Sequence, residues 1–458
     1  MHKEDLTRGP VPRQLLRLTV PMFLGISSMI LASMIDTIYI GWIGTRELAA
    51  VSMSFPLVMG LSSVSMGLGV GATSIMSRTL GGGDRDRSLV LGTHTLVLVA
   101  LLVVSIAVAG FVCAVPLFRG LGADAETLPL ASDYIRIWFV GLPLFALTMV
   151  AMSMLRALGN ARTPGILMTA GSVLQVAIAP ALIFGIPHAF AGIGFLGSAW
   201  AFVASRGCVF VATVVVLERA ALIRALGSAR DMLASWREVL RIGVPSILTN
   251  LIGPASMAVV LGLLSKYGHE VVAGFGVAIR IESLALMLLM ALSSSVSPMV
   301  GQNWGAREFG RVREALAFGY RFSFAWGLFA FAVIALFGKP IVRLINDHPG
   351  VVDATYAYLV PVSLSYGFMG MSMMIGASFV ALGRAAPSLT LALLRMLVLY
   401  LPLAWLADRY FGYRGIFVAS ALCTVVVAAA GHAWLQRLLP KRDAALLDAA
   451  PDAVGAGR

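Results

Sequence analysis

Apolar segments of about 20 residues or more recur at nearly even spacing along the whole chain. The run from Leu89 to Val115 is one of the clearest. About 20 residues is the length at which an α-helix crosses the hydrocarbon core of a bilayer, whereas the strands of a membrane β-barrel are shorter and alternate between apolar and polar residues. Charged residues make up only 12% of the chain, and soluble domains average about 25%. The sequence therefore predicts an all-α polytopic membrane protein.

The apolar segments predict twelve transmembrane helices. Most of the 34 Lys and Arg residues then fall in the N-terminus, the even-numbered loops and the C-terminal tail. Because short loops rich in Lys and Arg stay in the cytoplasm, we expect both termini inside. The predicted spans lie near residues 15–42, 47–77, 89–118, 130–157, 163–185, 191–218, 238–266, 270–300, 315–345, 353–382, 387–407 and 413–436.

The two halves of the chain repeat each other. The segment from Leu16 to Pro21 aligns with Leu240 to Pro245, and Ala157-Leu158-Gly159 aligns with Ala381-Leu382-Gly383 at the same offset. Six spans per half is an even number, so the sequence predicts two parallel six-helix lobes around a central cleft, an architecture suited to alternating access. The predicted segments are a cytoplasmic N-terminus (1–14), the N-lobe (15–218), a cytoplasmic inter-lobe linker (219–237), the C-lobe (238–436) and a cytoplasmic tail (437–458).

The sequence contains no motif for catalysis or for ATP hydrolysis. It has neither a phosphate-binding loop ending in Gly-Lys-Ser/Thr nor a His-Glu-x-x-His pair, and its loops are too short to house a Ser/His/Asp or Cys/His set. The three cysteines stand singly, without metal-site spacing. The net charge of +12 is spread over short loops, which argues against nucleic-acid binding. We expect no enzyme activity, no catalytic residues, no metal and no organic cofactor, so any pumping must use an ion gradient.

Asp36 is the most informative charged residue within a predicted span. It follows the apolar and small residues Met22 to Ile35 and lies about 9 Å from the outer end of helix 1 at 1.5 Å per residue. Charges within a membrane are costly and are therefore functional candidates. A carboxylate at this depth could exchange a proton or bind sodium. The alternative is an interfacial Asp that caps the turn from Gly41 to Gly44.

Four further charges lie within predicted spans, and three of them form a possible second polar site. Arg280 and Glu282 point about 200° apart on helix 8, so they cannot pair with each other. In one arrangement Glu282 pairs with Arg395 of helix 11, and Arg280 faces the cleft or a polar neighbour. A structural ion pair and a direct functional role both remain open. Arg206 lies among small residues, where we interpret it as a structural, snorkelling side chain.

Several separate motifs identify a family resemblance. The motifs are Met34-Ile35-Asp36-Thr37 with Gly41 and Gly44, the Leu-Arg-x-x-Val-Pro openings of helices 1 and 7, Gly301-Gln302-Asn303-Trp304-Gly305-Ala306, and Arg156-Ala157-Leu158-Gly159-Asn160-Ala161-Arg162. Together they resemble the multidrug and toxic compound extrusion (MATE) transporters, closest to the bacterial DinF-like and NorM-like members. The resemblance covers roughly residues 13 to 437, and it implies that the protein lies in the inner (plasma) membrane of a bacterium.

The resemblance implies the function and the coupling residue. MATE transporters export organic, often cationic or amphipathic, compounds in exchange for H⁺ or Na⁺, and Asp36 corresponds to the helix 1 aspartate that is central to coupling. In the fifth helix of DinF-like members an asparagine and an aspartate precede a proline, and here Gln175 and Ala179 occupy those positions before Pro180. Gln175 is thus a possible N-lobe cavity residue. The carboxylates of NorM-type helices 7 and 10 are absent, which argues against a C-lobe cation site of that kind.

Two other functions compete with multidrug efflux. A more distant part of the same superfamily flips lipid-linked intermediates, and a dedicated metabolite exporter is a further alternative. Arginines outnumber carboxylates within the spans, which fits a substrate with a phosphate. We expect the partners to be a small organic substrate, a coupling cation and the lipid bilayer, and we expect the protein to be a monomer.

Overall fold

The computed structural model describes residues 5–186 and 190–440, and nearly all of them are helical. Besides the α-helices, the regular elements are a hairpin of two-residue strands, β1 (Gly185–Ile186) and β2 (Phe190–Ala191), a short 3-10 helix, Ser265–Tyr267, and a π-helical segment, Leu394–Tyr400. The predicted tail from 441 onward lies outside the described residues. The helices are α1 Val11–Ile43, α2 Thr45–Gly81, α3 Arg85–Gly120, α4 Thr127–Ala157, α5 Arg162–Phe184, α6 Leu196–Arg219, α7 Ala229–Leu264, α8 His269–Gly305, α9 Phe309–Arg343, α10 Pro349–Leu364, α11 Tyr366–Ala381, α12 Ala386–Leu393 and α13 Leu401–Leu438.

The described helices account for twelve membrane spans. Nine helices, α1 to α9, are each long and apolar enough to cross a bilayer, and α10 with α11 forms one span bent by 57° at Ser365. The last helical stretch, Ala386–Leu438, contains 53 residues and is about 80 Å long at 1.5 Å per residue. That is more than twice the hydrocarbon thickness. Its backbone leaves the helical region at Gly412, with φ 61° and ψ −152°, so it supplies two spans, and the predicted fold class is confirmed.

Two details of the predicted spans differ from the structure. The predicted tenth span, 353–382, consists of two helices, α10 and α11, which meet at Ser365, four residues after Pro361. The eleventh and twelfth spans were expected with a loop between them, and they instead join through Gly412. Glycine adopts a positive φ without steric cost, which allows the chain to reverse there with almost no intervening loop.

The described chain divides into two compact units. Unit 1 contains residues 17–80 and 84–255, and unit 2 contains residues 5–16, 81–83 and 256–440. The division falls within α7, after Ala255, so the predicted inter-lobe linker groups with unit 1. The core of unit 1 buries Phe118, Ile135 and Trp138 where α3 meets α4. The core of unit 2 buries Tyr366, Phe379 and Phe417.

Glycines allow α5 to approach its neighbours in unit 1 closely. A Cβ added at Gly165 would overlap the backbone of Pro21 in α1, and one added at Gly197 of α6 would overlap the backbone of Leu182 in α5. Helices with glycine at their contacts can bring polar side chains from adjacent backbones within hydrogen-bonding distance. This packing places the end of α1 and the beginning of α6 side by side.

The chain between α6 and α7 is fastened to α3 by a buried histidine. His94 is fully buried, with its Nε2 2.8 Å from the carbonyl oxygen of Leu226 and its Nδ1 2.9 Å from the hydroxyl of Ser235. The indole nitrogen of Trp236 donates to the His94 carbonyl oxygen at 2.8 Å. The predicted linker is therefore an ordered part of unit 1.

Candidate functional site

Asp36 lies in α1 about 10 Å before the end of the helix, at 1.5 Å per residue. Its carboxylate meets the hydroxyl of Ser198, the third residue of α6, with Oγ 2.9 Å from Oδ1 and 2.8 Å from Oδ2. A hydroxyl has one proton, so Ser198 donates to the two oxygens alternately or shares its proton between them. The structure thus joins Asp36 to α6 and does not use it as a cap for the turn from Gly41 to Gly44.

Aromatic residues surround the Asp36–Ser198 pair. Tyr134 of α4 is 8% exposed and lies within electrostatic range of Asp36. Its ring stacks on Phe195, the residue before α6, with centroids 6.3 Å apart. A half-buried carboxylate with aromatic neighbours is less hydrated than one in a loop.

Asp36 has no cationic side chain as a salt-bridge partner within residues 5–186 and 190–440. A carboxylate that is already paired with Arg or Lys gains little by binding a further cation. Asp36 can therefore accept a proton or ligate a monovalent cation, with Ser198 as a neighbouring oxygen. These two chemistries are the ones expected of a coupling residue.

Gln175 meets Arg206 in the interior of unit 1. The guanidinium of Arg206 in α6 donates to the side-chain oxygen of Gln175 in α5 at 3.0 Å. Arg206 is 8% exposed and Gln175 is also 8% exposed. The interpretation of Arg206 as a snorkelling side chain is therefore wrong, because the side chain stays within the helix bundle.

Glu282 and Arg395 lie near each other in unit 2, but the hydrogen-bond partner of Glu282 is a tyrosine. The hydroxyl of Tyr358 in α10 donates to Glu282 at 2.5 Å. Arg395 is within electrostatic range of Glu282, yet the two form no direct ion pair in the described part of the chain. Arg280 is exposed and does not join them. The structure thus gathers Glu282 and Arg395 and leaves Arg280 apart.

The π-helical segment carries Arg395 and ends at Tyr400. Tyr400 lies within electrostatic range of Arg395 and of Tyr358. The wider turn of a π-helix displaces side chains from their α-helical positions and is frequent at functional sites. In this chain it brings an arginine and a tyrosine toward the pair formed by Glu282 and Tyr358.

Sequence reasoning missed the partners of both carboxylates. Ser198 is 162 residues from Asp36 along the chain, and Tyr358 is 76 residues from Glu282. In the sequence, Ser198 and Tyr358 are distinguished only as polar residues near the start or middle of an apolar span, and many other serines and tyrosines have such positions. In the described segments, no three His, Cys, Asp or Glu side chains converge on a common point that could hold a metal ion.

Comparison with known proteins places this arrangement in a family. The sequence profile of the MatE family matches residues 21–181 and 245–406, once in each half and at the offset of the internal repeat. A FAD transporter of Shewanella oneidensis is 32% identical and covers 95% of this chain and 97% of its own length. The probable multidrug resistance protein YpnP of Bacillus subtilis is 28% identical over 91% of this chain and 93% of its own.

The fold is also that of a solved transporter. A mutant of the Vibrio cholerae MATE transporter VcmN superposes with a TM-score of 0.90 at 26% identity, covering 94% of this chain and 97% of that one. The family profile, the relatives and the fold agree over nearly the whole length. This chain therefore belongs to the MatE family of multidrug and toxic compound extrusion transporters, as its motifs predicted.

Proposed function

We propose that this transporter is a secondary antiporter that exports amphipathic organic compounds, including cationic ones, in exchange for H⁺ or Na⁺ by alternating access. Asp36 is the coupling residue in this proposal. The observation that carries it is the contact between Asp36 and Ser198, which links the end of α1 to the beginning of α6. An ion that binds Asp36 acts directly on that link.

The link is stronger when Asp36 is charged. A hydrogen bond to a charged group contributes about 1.5–3 kcal/mol, compared with about 1 kcal/mol for a neutral pair. Protonation of the carboxyl removes its charge, and a bound sodium ion competes for the same oxygens. Either event changes the energy of the contact between α1 and α6 by about 1–2 kcal/mol, which is about a tenfold change in a two-state equilibrium. This is a sufficient size for an ion to bias the packing of α1.

Glu282 is the second carboxylate that we weigh for coupling. Like Asp36 it accepts a hydrogen bond from a hydroxyl, that of Tyr358, but it also lies near Arg395, a cationic neighbour that Asp36 lacks. A carboxylate already stabilised by a hydroxyl and a guanidinium has less to gain from a mobile cation. We therefore assign coupling to Asp36 and a structural role to Glu282.

A dedicated metabolite exporter is the second candidate function. The relative named as a FAD transporter is similar over nearly its full length, and the buried Arg206 suits an anionic substrate better than a cationic one. A lipid flippase is a third candidate that the same arginine would suit. We also propose that the protein functions as a monomer in the bacterial plasma membrane, with both termini in the cytoplasm.

Transport into everted membrane vesicles tests the proposal. An imposed pH or sodium gradient should drive uptake of an ethidium-type dye or of a flavin nucleotide by the wild type, and Asp36→Asn should abolish it. Glu218→Gln, which alters an exposed carboxylate at the end of α6, is the matched control and should transport normally. Undiminished gradient-driven uptake by Asp36→Asn would exclude the assigned coupling role. Uptake of flavin nucleotide without dye would favour the metabolite exporter.

A further inference from the structure

Arg206 is a buried cation near the middle of a membrane span. It lies about 15 Å from the beginning of α6 at 1.5 Å per residue, and only 8% of the residue is exposed. Within the described residues, its one hydrogen bond goes to a neutral group, the amide oxygen of Gln175. The Nε atom is buried and has no hydrogen-bond partner within the described residues.

Charged groups inside membrane proteins normally pair with a group of opposite charge, because an isolated ion in a low dielectric is costly. No carboxylate of the described chain lies close enough to compensate Arg206. The amide of Gln175 satisfies one of its five N–H donors. The fold therefore maintains a guanidinium whose charge and whose Nε donor are unmatched.

Aromatic rings surround the guanidinium. Its carbon lies 5.2 Å from the ring centroid of Phe202 and 5.8 Å from that of Phe145. Trp138 stacks on Phe202 with centroids 5.4 Å apart and planes inclined by 12°. Cation–π contacts offset part of the cost of the buried charge, but they do not satisfy the Nε donor, which lies in the guanidinium plane and has no partner in the described chain.

A guanidinium within a cluster of aromatic rings matches one kind of ligand. Its planar fork of donors fits a phosphate or a carboxylate, and aromatic rings stack on flat ring systems. An organic cation would instead meet a like charge at this depth. The amide of Gln175 holds the guanidinium in position without neutralising it.

We propose that Arg206, positioned by Gln175, recognises an anionic group carried on a planar aromatic substrate, and that the rings of Phe145 and Phe202 beside the guanidinium contact its ring system. This inference rests on the second candidate function, the metabolite exporter, and names its substrate class. Ser198 and Arg206 both lie on α6, about 12 Å apart along its axis at 1.5 Å per residue. The substrate site and the coupling site are thus separate positions on one helix.

Equilibrium binding to the purified protein in lipid nanodiscs tests this assignment, with tryptophan fluorescence as the readout. The probes are flavin mononucleotide and riboflavin, which share one ring system and differ in a phosphate. The wild type should bind flavin mononucleotide at least about tenfold more tightly than riboflavin, as expected for a charge-assisted contact. Arg206→Gln should bind both probes with the weaker affinity, and Arg206→Lys should retain part of the preference. Arg219→Gln, an exposed arginine at the end of the same helix, should behave as wild type.

Equal affinity of the wild type for the two probes, or no binding of flavin mononucleotide, would overturn the proposal. So would an unchanged preference in a folded Arg206→Gln protein. If that variant fails to fold, the wild-type ratio of affinities still decides the question. The measurement uses no ion gradient, so a failure of Asp36 to couple transport leaves its result unaffected, and the two proposals can fail separately.

Discussion

Replacing Ser198 with alanine removes one hydroxyl and leaves the backbone of α6 in place. That hydroxyl lies 2.9 and 2.8 Å from the two oxygens of Asp36, and it is the hydrogen-bond donor to this carboxylate in the described chain. A hydrogen bond to a charged group contributes about 1.5–3 kcal/mol, which corresponds to a change of about 10- to 150-fold in an equilibrium constant. The change in ion binding depends on the difference between this bond and the one to a neutral carboxyl, so the variant should shift ion binding at Asp36 by about tenfold.

The direction of the change identifies the coupling ion. If the ion is a proton, loss of the donor destabilises the charged carboxylate, and half-maximal transport should need about tenfold less H⁺. If the ion is sodium, loss of the Ser198 oxygen removes a ligand, and half-maximal transport should need about tenfold more Na⁺. Initial rates in proteoliposomes, measured over a range of pH at fixed sodium and over a range of sodium at fixed pH, separate the two cases.

Ser198→Thr is the control, because threonine retains the hydroxyl and should give curves close to those of the wild type. A Ser198→Ala protein that folds normally and shows neither shift would refute the reasoning. In that case the contact between Asp36 and Ser198 would have no part in ion binding.

Three further changes test the fold and the second polar site. His94→Ala removes two ring hydrogen bonds and should lower the free energy of unfolding by about 2 kcal/mol. It should also speed trypsin cleavage within the linker, and an unchanged cleavage rate would contradict this prediction. Tyr358→Phe removes the donor to Glu282 and should lower the midpoint of thermal unfolding while gradient-driven transport persists, whereas loss of transport in a stable protein would assign Glu282 to coupling. Gly165→Val should prevent close packing of α5 on α1 and reduce the yield of folded protein, and Gly60→Ala, where a Cβ meets only an ordinary contact at 3.9 Å, should not.

The sequence was sufficient to predict the features that depend on segment length, on loop charge and on the internal repeat. Span length and loop charge predicted twelve helices, and the repeat predicted two lobes. The break at Ser365 and the reversal at Gly412 were not predictable, because proline and glycine recur within many spans that remain continuous. Each break depends on which neighbouring helix satisfies the freed backbone groups.

The charged residues of the candidate site could be predicted from the sequence, but their hydrogen-bond partners could not. Asp36 and Glu282 stood out because carboxylates are rare within apolar spans. Ser198 and Tyr358 did not, because their significance depends on helix packing across long stretches of sequence. Arg206 was recognised as an intramembrane charge, but only the structure shows that it stays buried beside a neutral amide.

Ion movement driven by substrate is the most direct test of the central claim. Proteoliposomes are loaded with an acidic buffer or with radioactive sodium, and substrate is then added outside. An antiporter exchanges substrate for its coupling ion, so one of the two ions, H⁺ or Na⁺, should leave the liposomes. Asp36→Asn should release neither ion, while Glu218→Gln should release as much as the wild type. Release of the ion by Asp36→Asn at the wild-type rate would show that another group couples transport in this protein.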